Sequence, residues 1–476
     1  MPTVRKSPRK AVPRGATKGL VPVRPGQSRA DLYAMGKALR EKCPRESHAG
    51  WKPPRNRRDP LELIEASNKG RIPELVPIRH GRMLRSPFTL YRGAALNMAA
   101  DLAGTPVSGL RVQACGDAHL CNFGDFATPE RRVIFDINDL DETLPAPWEW
   151  DVKRLAASVV VASRSNGFSR RDARDATLAC VRSYREHMAE LSDLRVLDVW
   201  YASIEVEKVL ATLKDKAARE RHGKAVARAR ERSVAEHDFP KLAALSGQQP
   251  RIKDNPPLIY HPQEAGGADL LKRTRAVFGQ YRETLQEDRR VLLDRFELKD
   301  IAMKVVGVGS VGTYCTVMLM MAGEDDPLFL QVKEARKSVL EPYAGSSLHP
   351  NHGQRVVNGI RLMQSASDIF LGWAKGLLGR HFYVRQLRDM KISAQVELFT
   401  PGVMTQYAEV CAWALARAHA RSGSAAPIAG YLGKSDVFDE AIADFAVAYA
   451  DQTERDYDAL MAAARSGRIE VVTEPD

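Results

Sequence analysis

Val305-Val306-Gly307-Val308-Gly309-Ser310-Val311-Gly312-Thr313-Tyr314-Cys315-Thr316-Val317 sets three glycines between two runs of β-branched and apolar residues. A Gly-x-Gly-x-x-Gly turn leading from a strand into a helix suits a dinucleotide. Here β-rich sequence resumes at Thr313, so the turn joins two strands, the setting of a loop that covers phosphates. Glycine leaves no Cβ between a backbone amide and a phosphate oxygen. Working outward, Ile301–Val306, Thr313–Met321 and Leu328–Lys333 read as an antiparallel meander. The third run ends in Lys333, 21 residues beyond Gly312, where an ammonium can reach phosphate oxygens. Gly307, Gly309, Ser310, Gly312 and Lys333 are the expected nucleotide contacts.

A second constellation lies far upstream. Leu110–Ala114 reads as a strand, and Gly116-Asp117-Ala118-His119-Leu120-Cys121-Asn122-Phe123-Gly124 as the loop after it. A further strand, Arg132–Phe135, ends at Asp136, 14 residues past Asn122. Asn138, Asp139, Asp141 and Glu142 follow. Hard cations take oxygen ligands, and Mg²⁺ commonly takes one or two carboxylates together with substrate phosphates. A separate carboxylate must accept the nucleophile's proton. The spacing predicts Asp117 as that base, with His119 beside it in the catalytic loop. It predicts Asn122 and Asp136 as metal ligands. Arg85 and Arg92, just upstream, could hold an anionic substrate, and Asp139 is a further candidate for substrate contact. Asp151 opens an amphipathic helix, Asp151–Arg164, and could cap it or brace the loop.

Charge is unevenly spread. The chain carries +12, and residues 1–60 hold 16 Lys and Arg against four acids, leaving the remaining residues neutral. The first 30 residues contain five prolines and no acid. Residues 1–60 therefore read as a basic, largely disordered tail that could touch nucleic acid or another polyanion. The neutral remainder argues against nucleic-acid binding as the main role. No apolar run is long enough for a membrane span, and no apolar segment follows the basic N-terminus as in a secretory signal. A cytoplasmic protein is expected. Six cysteines without a Cys-x-x-Cys pair fit reduced thiols rather than a disulfide framework or zinc ribbon. A Pro-rich break at Gln248–Pro262 divides a helix-rich lobe, 61–250, from a β-rich lobe, 251–400. Ala-rich helices in 401–476 are expected to return to the first lobe.

These motifs, with Trp148-Glu149-Trp150-Asp151 and Leu330–Ala335, resemble a bacterial family catalogued as domain of unknown function 2252. The resemblance spans about residues 60–465. More distantly, Gly116-Asp117-x-His119-x-x-Asn122 is similar to the catalytic loop of aminoglycoside phosphotransferases and related small-molecule kinases. Ile134-Phe135-Asp136 looks like their metal-binding segment. Gly307–Gly312 and Lys333 look like their nucleotide lobe. That likeness implies an α+β, kinase-like two-lobe architecture using ATP and Mg²⁺ on an unknown small-molecule or protein acceptor. The lobes stand in circularly permuted order, because the glycine turn follows the catalytic loop. No glutamate occurs between Glu341 and Glu397 to pair with Lys333. Glu334, Glu341 and Asp368 are the substitutes. A nucleotide-binding regulatory protein without turnover, and a metal-dependent phosphoesterase, are the alternative readings.

Overall fold

Strand Cys315–Met321 is buried along its whole length, and its side chains alternate between two apolar clusters. Met318 and Met320 meet Leu328, Leu330 and Tyr281 on one face, and Val317, Leu319 and Met321 meet Ala302 and Phe329 on the other. This period-two pattern covered on both sides marks an interior strand. It lies in a six-stranded antiparallel sheet. The sheet order is Gly372–Lys375, His381–Gln386, Pro327–Ala335, Cys315–Met321, Glu297–Lys304 and Ile259–Tyr260. The computed structural model describes residues 26–231, 239–246, 249–262, 266–387 and 390–473. Helix Gly266–Glu283 covers one face of the sheet through Tyr281.

The other half is built on long helices. Trp148–Ser165, Arg170–Asp193, Pro401–Ser422 and Val437–Arg465 surround the largest apolar cluster. Two small antiparallel sheets lie against them. One pairs Arg111–Ala114 with Leu144–Pro147. The other has the order Ile392–Ser393, Phe123–Ala127, Val133–Ile137. The fold is thus mixed α+β with antiparallel sheets. No helix among the described residues is long and apolar enough to cross a membrane.

Two helical runs are interrupted. The run Phe88–Leu102 divides into Pro87–Gly93 and Ala95–Leu102. Ser86 and Thr89 form a reciprocal capping box at the first of these. The run beginning near Asp269 stops at Glu283 and restarts at Glu287.

The assignment of 1–60 to a disordered tail needs correction for its second half, while residues 1–25 lie outside the described residues. Helix Arg29–Ala38 packs on helix Ala425–Leu432 with backbones in direct approach. A Cβ on Gly36 would lie 1.9 Å from the Pro427 carbonyl oxygen, and one on Gly430 would lie 2.1 Å from that of Tyr33. Two arginines counted toward the tail's charge serve this joint. Arg40 donates to the Gly430 and Tyr431 carbonyls at 2.6 and 2.8 Å, and Arg45 donates to that of Leu432 at 2.6 Å. They satisfy the last carbonyls of a helix, where cations are favoured. His48 is buried against Tyr431, with 2.8 Å between Nε2 and the hydroxyl. Gly36→Ala should therefore force the two helices apart and destabilise the protein by about 1–3 kcal/mol, read from urea unfolding. An unchanged midpoint would mean that this segment does not dock.

Candidate active site

Asp151 shapes the loop at 116–122. Its carboxylate accepts from the backbone amides of Cys115 and Gly116 at 2.6 and 2.9 Å, and stands 3.1 Å from His419 Nε2. It braces the loop and is not the helix cap, which is Pro147. Gly116 adopts φ +82°, and a Cβ there would fall 2.7 Å from the Glu142 carbonyl oxygen, so the turn requires glycine. The loop then closes on itself. His119 N donates to Asp117 O at 2.9 Å, Asn122 N to His119 O at 2.8 Å, and Asn122 Nδ2 to Asp117 O at 2.8 Å.

This loop forms one wall of a cavity of about 560 Å³, lined also by Asp139 and by the glycine turn at Gly307, Gly309 and Ser310. Lys333, Gln331 and Arg385 face it from the large sheet. Alternation along Pro327–Ala335 explains that placement, since Gln331 and Lys333 share the face opposite Leu328 and Leu330. Asp117, His119, Asn122, Asp139, Arg92, Gly307, Gly309, Ser310 and Lys333 are thereby brought to one space.

Electrostatics sort the groups. Asp117 Oδ1 accepts from Arg154 Nε at 2.7 Å and from a second guanidinium nitrogen of the same arginine. Oδ2 lies 3.8 Å from His119 Nε2. Burial raises the Asp117 pKa above the usual carboxylate value, with Arg154 pulling the other way. His119 is pushed far down by burial and by Arg92 and Arg154, so its ring is neutral. Burial alone would discharge Lys333, yet Asp139 and Asp141 hold it firmly protonated. Its Nζ lies 2.6 Å from Asp141 and 3.4 Å from Asp139. Burial likewise opposes ionisation of Asp139, but Lys333 and Arg385 outweigh it and hold the carboxyl below its usual range.

Four expectations are revised by this geometry. Asp136 is not on the cavity wall. Its side chain is fully buried and accepts from Arg417 at 2.6 Å, from the Ser365 amide and hydroxyl at 2.9 Å each, and from the Ile137 amide at 2.8 Å. A carboxylate so occupied has no oxygen to spare for a cation. Asp139, three residues on, faces the cavity instead. Gly312 is structural: at φ +83° it passes its carbonyl to the Ile72 amide at 2.8 Å and abuts Arg71. Arg85 lies in an adjoining groove with Arg82 and Arg92. The partner of Lys333 comes from the loop at 139–141 and not from Glu334, Glu341 or Asp368. Glu334 pairs with Arg380 at 2.5 Å, and Glu341 accepts from the Ser338 amide at 3.3 Å.

Sequence reading missed Arg154, Arg385 and Arg417. Arg154 left a signal, as a cation directly before the apolar run Leu155–Ala162. Arg417 left a similar one among alanines. Arg385 left none, because a strand-end arginine is ordinarily solvated.

The family model for uncharacterized proteins conserved in bacteria, DUF2252, matches residues 71–463. The chain belongs to this family. No curated protein and no solved structure matches it. The matched stretch of this DUF2252 member contains every residue assigned above to the cavity wall.

Asp136→Asn and Arg417→Ala each leave a buried partner unpaired. Each should cost about 3–5 kcal/mol in chemical denaturation. If Asp136→Asn left stability unchanged, the carboxylate would be free for another role.

Proposed function

We propose that this protein is an ATP- and Mg²⁺-dependent phosphotransferase of kinase-like type, its two lobes in permuted order along the chain. One observation carries the reading. A catalytic-type loop, an acidic loop, a glycine turn between strands and a buried lysine line one cavity, though Lys333 and Asp139 are 194 positions apart. Phosphoryl transfer asks little covalent chemistry of the protein and depends on positioning and charge. Lys333 and Arg385 supply cations toward nucleotide phosphates, and the glycine turn supplies backbone without side chains. Asp117 accepts the acceptor's proton through Oδ2 while Arg154 fixes Oδ1.

Asp139 and Asn122 are the residues suited to Mg²⁺. Asp139 is held ionised, and both residues line the cavity. When bound, the ion would neutralise charge developing on the transferred phosphoryl group. Two protein ligands suffice for an ion that shares substrate phosphates and water. A two-metal phosphoesterase is less well supported. Among the described residues no group of three or more His, Cys, Asp and Glu is placed to hold a metal ion. The regulatory alternative draws on the Arg154–Asp117 pair, which engages the proposed base in the ground state.

The decisive experiment is thermal unfolding with MgATP, Mg²⁺ alone and EDTA. At about 100 times its dissociation constant, a ligand stabilises the native state by about 2.7 kcal/mol. A magnesium-dependent shift with ATP supports the reading, and none at millimolar ATP refutes it. Lys333→Ala should weaken ATP binding by about tenfold or more, equivalent to about 1.4 kcal/mol. Asp117→Asn should preserve binding but lower turnover by about 10²-fold or more. Wild-type turnover in that variant would remove Asp117 from the base role. Because the Asp117 pKa is raised, kcat/KM should climb with pH through a limb lying above the ordinary 3.8 of an aspartate. Protonated Asp117 cannot accept a proton, so activity is lost on the acid side.

A further inference from the structure

Helix Val196–Tyr201 presents most of its large apolar side chains to solvent. Val196 is 85% exposed, Leu197 63% and Tyr201 74%, with Leu194 and Trp200 exposed beside them. Single exposed apolar residues are ordinary, but five within eight positions form a patch that marks a contact surface. The helix is firmly seated. Val199 is buried in the main apolar cluster. The Arg421 guanidinium carbon lies 4.1 Å from the Trp200 ring centroid, and Arg421 donates to the Trp200 carbonyl at 3.1 Å. Trp200 and Leu348, itself exposed, line one groove of about 350 Å³, which carries the apolar surface onward.

Positive charge gathers next to this patch. Residues 1–25 contain seven Lys and Arg and no acid. They lead into helix Arg29–Ala38, whose first residue, Arg29, donates to the Asp193 carbonyl, one position before Leu194. The cationic segment is thus rooted at the edge of the patch. Each residue spans at most about 3.6 Å, so Arg24, the nearest of the seven cations, lies within about 18 Å of Arg29. Neighbouring acids do not cancel this charge. Arg195 answers Asp198 at 2.7 Å, and the seven cations outweigh Asp193, which ends the preceding helix.

We infer that this patch docks on an anionic lipid bilayer. Leu194, Val196 and Leu197 enter the acyl boundary, Trp200 and Tyr201 sit at headgroup level, and the charge of residues 1–25 is drawn to the negative surface. Buried apolar area and a polybasic segment are the two signals that stable peripheral binding requires. Trp and Tyr suit that depth, because each joins an apolar ring to a polar tip. A second copy of the chain is a poorer occupant. Two-fold pairing of the patch would bring two segments of seven cations together, and like charges repel. The inference stands apart from the phosphotransferase reading and needs no spanning helix.

The test is co-sedimentation of the full chain with vesicles of phosphatidylcholine alone and with about 30 mol % phosphatidylglycerol added. The mixed vesicles should carry the protein down, and the neutral ones should bind it about tenfold less or weaker still. Raising the salt from about 0.1 to about 0.5 M shortens the screening length and should weaken binding. Leu197→Ser combined with Tyr201→Ser should weaken it by about tenfold or more at the lower salt, with the circular dichroism spectrum unchanged. Four results would overturn the inference. The first is no binding to the mixed vesicles. The second is full binding by the double variant, which would leave the basic segment acting without the patch. The third is a dimer in light scattering, in place of vesicle binding, that the double variant abolishes, which would assign the patch to a second copy. The fourth is binding only after Leu20→Ser, Val21→Ser and Val23→Ser, which would show the chain's own segment covering the patch. Should the double variant lose its helical spectrum, Val196→Ser, at the most exposed position of the patch, gives the same comparison.

Discussion

Lys333 is buried, and it keeps its proton because two carboxylates of another part of the chain meet it. Tyr383 adds a third tie, donating from its hydroxyl to Asp141 at 2.5 Å while its ring lies 5.5 Å from the ammonium. An unpaired charge at that depth would cost several kcal/mol. The cluster therefore fixes the distance between the six-stranded sheet and the acidic loop, and with it the width of the cavity. The other features of the site presuppose that spacing: the glycine turn faces the loop, and Asp139 remains ionised on the wall.

Three buried arginines or lysines divide the acids among tasks. Arg417 takes Asp136 wholly into the interior, Arg154 holds one oxygen of Asp117, and Lys333 spans Asp139 and Asp141. Asp151, with His419 and two backbone amides, sets the loop's course. Acids that look equivalent in a short stretch of chain thus differ by what lies opposite them. A partner that satisfies every oxygen makes a structural residue, and one that leaves an oxygen unengaged keeps it open to further contacts.

Much of this was open to reading along the chain. The meander, the glycine turn between strands and the loop at 116–124 follow from local pattern, because period-two apolarity and glycine spacing are local properties. Long Ala-rich helices at the C-terminus were equally plain. The role of residues 29–51 was not. Composition counts Arg40 and Arg45 as tail charge, and only a helix end supplied from Ala425–Leu432 turns them into caps. The choice between Asp136 and Asp139 was hidden for the same reason, since Arg417 and Ser365 lie more than two hundred residues downstream.

The sequence by itself determined the elements and the kinds of chemistry they carry: a glycine turn free of Cβ atoms, a lysine on a strand, a loop of aspartate, histidine and asparagine. Tertiary structure decided which of these share a space, which carboxylate is used up in the interior, and what answers the charge on Lys333. The physical reason is range. Backbone preference and hydrophobic period act between near neighbours in the chain, whereas ionisation and pairing depend on desolvation and on charges brought near only by folding.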